Sequence, residues 1–515
     1  MNRGYLFATL FVICFFSFPR FVHAQRTETQ DNEIQVVKQD GMNLIIPEDG
    51  RIDSHHIVVT QSTPTHNYWC GLFSNLPTDT ATVIGFSLAD SSTHRQAANV
   101  SKWDGHPGLV PVMSYSDPTK YETYIWYSKN DKGWWSSDIF SKDRFAGTGT
   151  LPEQQSVPRE VATQFLSQDG KYFSCWREVD DEESVTTLNI FRIKHRYKLP
   201  TAIVGMRIPY TYTYEQAYID KLRTSKFPGV KVSIDDIGIT PEKREMRAIR
   251  IDNSALNNDN PEHKTVVVIA REHANEQDSS FTLQGVLSSL LSSDASAARV
   301  LKNTTWIFIP IEDVDGAFNS RFDDITDCFA RANDPSISSE VFAYARYFAA
   351  YINGGNTIDA VVSFHCTEAK ESPNMFSPFI DRQHKEDVKN INQAFFSALK
   401  KAGYQVGDPV KPWDFGTVPT RLFGWIGKHY GAIPLTWEAN GRFPSHRLNL
   451  CQLVEMGGYL TNSLCDRLSS DDGERLHNEI RSILAKRVVE RDIYLTDHHM
   501  NPFELNDIQV LSLGY

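Results

Sequence analysis

The sequence has no Cys-x-x-Cys pair and no basic excess. Beyond its first two dozen residues it also has no apolar run long enough to cross a bilayer. Each absence narrows what the chain can be. Without closely paired cysteines, a thiolate zinc site has no ligands. A formal net charge of -12 offers no basic footprint for a phosphate backbone and argues against nucleic acid as a partner. Without a further apolar run, nothing downstream inserts stably into a membrane. Cysteine itself is scarce: 7 in 515 residues. Apart from Cys14, these are Cys70, Cys175, Cys328, Cys366, Cys451 and Cys465, too few to replace a hydrophobic core, and their pairing does not follow from spacing. The sequence has no internal repeat and no low-complexity tract.

What remains is ordinary globular material, 41% hydrophobic and 23% charged, long enough for two or three domains. Residues 1–24 read as a secretory signal peptide. Arg3 gives a positive start, Tyr5 to Phe18 is almost wholly apolar, and Val22-His23-Ala24 offers a cleavage site before Gln25. An uncleaved anchor is the alternative. The expected destination is the periplasm or the exterior.

Residues 27–205 read as short strands between turn clusters: Ile57-Val58-Val59, Ala81 to Ser87, Thr123 to Tyr127. No long helical period interrupts them, which predicts an antiparallel β-sandwich. Its tryptophans, among them Trp69, Trp103, Trp126, Trp134, Trp135 and Trp176, fill a core or form a ligand platform. From 206 to about 500 the texture changes. Apolar strands (Ala248–Ile251, Val266–Ala270, Thr305–Ile309, Ala360–Phe364, Ala432–Trp437) alternate with amphipathic helical segments, predicting an α/β domain on a mixed sheet. Residues 501–515 form a C-terminal tail.

The chemistry gathers where these strands end, the edge at which α/β sheets usually place their sites. His273 and Glu276 follow Val266–Ala270; an imidazole and a carboxylate three residues apart can share a metal ion such as zinc, or can be a surface ion pair. His365 follows Phe364, Glu438 follows Trp437, and Asp313, Asp315 and Gly316 follow Ile309. Each has a bland alternative: a satisfied core histidine, a capping carboxylate, a turn. Their common placement makes coincidence a poorer account.

The motifs AREHANEQDSSFTLQG, IPIEDVDGAFNSR, VVSFHCTE and IPLTWEANG occur in that order. In order and spacing they resemble the zinc carboxypeptidases of the M14 type. With GWW at 133–135 and IPYTYTYEQ at 208–216, the resemblance is nearest to the cytosolic carboxypeptidase branch, here as an exported bacterial relative. The resemblance implies one zinc per chain on His273, Glu276 and His365, with Glu438 as general base for a water that attacks the scissile carbonyl. It further implies that Arg321 stabilises the oxyanion. Arg331, ten residues on, grips the terminal carboxylate of a peptide or protein substrate. No oligomeric state follows.

The chain departs from the branch at three places. Ala330 stands where an Asn usually precedes Arg331, with Asn333 as the nearby substitute; Ser363 replaces an Asp before the third ligand; and the turn reads Asp313-Val314-Asp315-Gly316. Two alternatives therefore stay open: a zinc amidase acting on cell-wall peptides, and an exported binding protein without catalysis.

Overall fold

The computed structural model describes residues 33–37, 40–46, 56–61, 70–80, 82–90, 124–127, 155–156, 190–195, 197, 199–205, 210–253, 263–274, 276–292, 295–320, 325, 329, 339–366, 374–376, 382–404, 421–438 and 450–497. Its first strands are β1 (Gln35–Val37), β2 (Leu44–Ile45), β3 (His56–Gln61), β4 (Cys70–Ser74), β5 (Thr82–Asp90), β6 (Tyr124–Tyr127), β7 (Gln155–Ser156), β8 (Ile190–His195) and β9 (Ala202–Gly205). They form two sheets, ordered β1-β4-β9-β6-β7 and β2-β3-β5-β8. The first sheet is antiparallel throughout. The second departs from the expected pattern at one pair, since β3 and β5 run parallel. The chain leaves β3, contributes β4 to the other sheet and returns as β5, which supplies the crossover a parallel neighbour needs. Side-chain alternation is the same in either direction, so residue pattern alone could not distinguish the two.

The α/β part contains α1 (Tyr212–Thr224), β10 (Val230–Ile239), β11 (Glu245–Asn253), β12 (Lys264–Ala270), α2 (Gln277–Leu290), α3 (Ala295–Leu301), β13 (Thr304–Ile309), α4 (Val314–Asn319) and α5 (Ser339–Asn353). It continues with β14 (Ala360–His365), β15 (Asn374–Phe376), α6 (Arg382–Lys401), α7 (Leu422–Tyr430), β16 (Ile433–Glu438), α8 (Leu450–Leu468) and α9 (Asp471–Asp497). Seven strands lie in the order β10-β11-β13-β12-β14-β16-β15. The middle four are parallel; β10, β11 and β15 pair antiparallel at the edges. Every residue of β12, β13 and β14 is buried, which explains their largely apolar runs: helices cover both faces, so no polar alternation is needed. From β12 the chain goes first to β13 on one side and later to β14 on the other. That reversal opens a crevice at the carboxyl ends of β12 and β14.

Helix α2 leaves this edge and is buried nearly all round. It packs on α8 through two glycines: a Cβ at Gly285 would lie 2.1 Å from the Val454 carbonyl oxygen, and one at Gly457 would lie 2.3 Å from the Val286 nitrogen. The backbones approach more closely than any side chain permits.

The first sheets join the same core, where Met42, Cys70, Leu72 and Ile203 cluster with the α/β strands. A short strap makes the connection. Gly41 N–H donates to the Phe318 carbonyl (2.9 Å), and the Asp40 carboxylate accepts from Thr213 N–H in the first turn of α1. Thr211 caps that helix by accepting from Tyr214 N–H. The tyrosine strip then turns inward: Tyr210 meets Tyr214 and Phe281 edge-on at 4.8 and 5.1 Å. Glu215 is buried here, within reach of the charges of Arg271 and Asp40, and burial pushes its carboxyl up to about 8.

Gly285→Ala is expected to force the two helices apart and to destabilise the protein by ~1–3 kcal/mol, or to prevent folding, read by urea unfolding. Glu215→Gln tests the buried carboxyl. Folding holds its proton more tightly than the unfolded chain does, so its contribution is complete below about 4.5 and is lost as pH rises through about 8. The stability of the variant relative to the native chain should therefore rise between those values, by roughly 2–5 kcal/mol at the alkaline end. A pH-independent difference would contradict the assignment.

Candidate metal centre

Strand β12 ends at Ala270, and the next residue leaves the strand by a conformation few side chains adopt. Arg271 has φ +63°. It is held there from both sides: its own carbonyl accepts from Asp313 N–H (3.1 Å), and the Ala270 carbonyl accepts from Glu312 N–H (2.9 Å). Its guanidinium is buried and donates from Nη1 to the Tyr210 carbonyl (2.7 Å) and from Nε to the Ala274 carbonyl. Burial lowers the group to about 10, opposed chiefly by the Asp40 charge. The turn sends Glu272 inward and leaves His273 partly exposed.

Glu276 is the N-cap of α2, yet its side chain does not cap the helix. It faces two imidazoles instead. Oε1 lies 3.0 Å from His273 Nδ1, and Oε2 lies 3.0 Å from His365 Nδ1. The two Nδ1 atoms are 3.3 Å apart. Cys366 N–H also donates to Oε2 (3.0 Å), which fixes the carboxylate's plane. The ligand atoms of His273, Glu276 and His365 all lie within 4.8 Å of one another. Ladder register does the positioning: Ala270 pairs with Phe364 and His365 pairs with Glu438, so adjacent parallel strands present their last residues side by side.

The electrostatics follow from this crowding. Burial alone would raise the Glu276 carboxyl, but His273 and His365 hold it well below the usual carboxylate range. Burial would lower His365; Glu276 and Glu272 together push it well above an ordinary imidazole. Burial raises the Glu438 carboxyl to about 7, with His365 opposing. Glu312 is buried and driven well upward by burial and then by the charge of Glu272.

The donor set suits a divalent cation. Two imidazole nitrogens and a carboxylate oxygen converge on one point, and all three are electron-pair donors. Zinc bonds of about 2.0–2.1 Å in a tetrahedral arrangement put donor atoms about 3.3 Å apart, close to the separations present here. Hydrogen bonds among three acceptors need added protons, whereas one cation satisfies all three at once.

Of the residues singled out from sequence, His273, Glu276, His365 and Glu438 come together at this edge. Asp313 and Asp315 are nearby but serve the fold. Asp313 caps α4 by accepting from Gly316 N–H (2.7 Å), and Asp315 accepts from Thr240 (2.7 Å) and pairs with Arg244 (2.6 Å). Arg321, Arg331 and Asn333, like residues 1–24 and 501–515, lie outside the described residues. Sequence reading gave no role to two further groups, Glu272 and Arg421. Glu272 is 3.2 Å from His365 Nε2 on one side and 3.2 Å from Arg421 Nε on the other. An acidic residue two places past an apolar strand is the signal for Glu272; nothing local marks Arg421. No helix among the described residues is long and apolar enough to cross a membrane.

No curated protein matches the chain. The fold is similar to that of a metallo-carboxypeptidase from Burkholderia cenocepacia, at 14% identity and TM-score 0.57, covering 84% of this chain and 98% of that one. It is also similar to a metallo-carboxypeptidase from Pseudomonas aeruginosa, solved with (2-guanidinoethylmercapto)succinic acid. That match has 13% identity and TM-score 0.56, covering 84% of this chain and all of that one, 100%. The family model for zinc carboxypeptidases matches residues 216–368, the span that holds His273, Glu276 and His365. The match to the zinc carboxypeptidase model thus falls within the α/β half of this chain.

Proposed function

We propose that this chain is an exported, zinc-dependent metallocarboxypeptidase that removes residues from the C-termini of peptides or proteins. The observation that carries the reading is the convergence of His273, Glu276 and His365 beside Glu438, the direct register partner of His365. One zinc per chain would be held by the two Nδ1 atoms and the Glu276 carboxylate. Zinc there supplies Lewis acidity towards a carbonyl and a water.

The remaining work belongs to the chain. Glu438 stands next to the donor triangle without belonging to it, and burial raises its carboxyl, the direction that suits a group taking a proton and returning it. In this reading Glu438 removes the proton of the attacking water and delivers it to the leaving amine as the peptide bond breaks. Arg321 stabilises the developing oxyanion, and Arg331, with Asn333, binds the substrate's terminal carboxylate; a guanidinium fork suits both tasks. These three assignments rest on the motif resemblance. Ala330 favours one alternative for specificity, because a weaker carboxylate clamp also admits amides such as cell-wall peptides.

Purified protein is expected to contain about one zinc per chain, and chelation should abolish release of C-terminal residues, restored by added zinc. Glu438→Gln should keep its zinc and lose ~10²–10⁴ in kcat/KM. Undiminished turnover in that variant would remove Glu438 from the mechanism. Paired peptides with free and amidated ends decide the substrate class: a carboxypeptidase cuts only the free ones, and equal turnover of both would establish the amidase.

A further inference from the structure

His365 has two ring nitrogens, and only one can face the donor triangle. Nδ1 does so, 3.0 Å from Glu276 and 3.3 Å from His273 Nδ1. Nε2 points away, hydrogen-bonded with Ser363 Oγ at 3.1 Å and at ion-pair distance, 3.2 Å, from Glu272 Oε2. An imidazole that offers Nδ1 as a lone pair must carry its proton on Nε2. That proton has two oxygens of unequal kind within 3.2 Å. The Ser363 hydroxyl can accept, but it can equally rotate and donate, so it accommodates either tautomer. An ionised carboxylate can only accept, and a bond to it is the stronger.

Glu272 is 1% exposed, a position where an ionised carboxylate is costly unless opposite charge and donors surround it. Arg421 supplies that charge. Its Nε lies 3.2 Å from Glu272 Oε1, and it occupies the N-cap position of α7, only partly buried. The three side chains therefore run in a line from the surface to the centre: guanidinium, carboxylate, imidazole. They come from three separate places, the β12 turn, the end of β14 and the start of α7.

We propose that Glu272, anchored by Arg421, is a positioning residue of the metal centre: it holds the proton of His365 on Nε2 and so commits Nδ1 to the ion. This rests on the zinc reading above. It has a consequence for the loop. The five residues Glu272 to Glu276 then supply two donors and also the outer partner of the third, so the turn at Arg271 sets all three at once. Ser363, which stands where the resembled branch has a carboxylate, needs no acidic replacement of its own if Glu272 reaches the same nitrogen from the neighbouring strand.

The test uses the full chain with ring-15N-labelled histidine, loaded with zinc, with the Nε2–H proton of His365 assigned against a His365→Asn variant. Wild type should show that proton shifted downfield and slow to exchange, as a proton held by a carboxylate is. In Glu272→Gln it should move upfield and exchange faster, and zinc affinity, by competition with a chromophoric chelator, should fall ~10–100-fold. Glu272→Asp should recover part of that loss. If Glu272→Gln does not fold, Arg421→Gln frees the other end of the carboxylate and should give the same two changes at smaller size. An unmoved Nε2–H proton overturns the proposal, even with weakened zinc binding, because the effect would then be structural. Wild-type zinc affinity in Glu272→Gln overturns it too. If wild type itself takes up no zinc, the zinc reading falls, and the proposal with it.

Discussion

Two imidazole nitrogens and a carboxylate are made to face one another at the buried edge of a sheet, and most of the α/β fold can be understood as what makes that tolerable. Left to themselves, electron-pair donors 3.0–3.3 Å apart repel or compete for protons. Three devices oppose this. Parallel ladders fix the strand ends, so His365 cannot retreat without shifting β14 against both neighbours. The Arg271 turn is held by hydrogen bonds from the loop after β13. Glu276 is kept in plane by Cys366 N–H. A left-handed non-glycine residue costs ~1–3 kcal/mol and persists only where its surroundings over-determine it, which is the case for a buried arginine bonded at both ends.

The N-terminal part takes a share in this. Its strap places Asp40 against the first turn of α1, and Asp40 is the main charge that opposes the desolvation of Arg271. The strap also ties Gly41 to the end of α4, whose cap follows directly on the hydrogen bonds that secure the Arg271 turn. The loop that carries His273 and Glu276 is thus braced from the side of the first sheets as well as from within the α/β part. Both parts contribute to one hydrophobic core.

How much of this was legible in the sequence depended on whether the cause was local. Val266–Ala270 and Ala360–Phe364 announce buried strands because their residues are almost all apolar, and His273, Glu276, His365 and Glu438 are visible as polar residues that follow such runs within a few positions. Strand β10 was not visible. Its alternation through Val230, Val232 and Ile234 breaks at a bulge between Asp236 and Gly238, residues that read as a turn. Helix α7 was missed for the opposite reason: it is apolar on nearly every face, so no helical period stands out. The pairing of Glu272 with Arg421 has no local cause at all. It exists only because β14 lies between the turn that carries one and the strand that follows the other, an order fixed by sheet topology.

The charges at the site are unevenly matched, and the mismatch has a direction. Glu272, Glu276, Glu312 and Glu438 gather around two imidazoles and one guanidinium. Arg421 and His365 keep Glu272 ionised; with that charge in place, Glu312 is driven to stay protonated. Glu276 is ionised by the imidazoles it faces. Glu438 is the group left poised, raised by burial to about 7, with the nearby imidazoles opposing and the Glu276 charge adding to the rise.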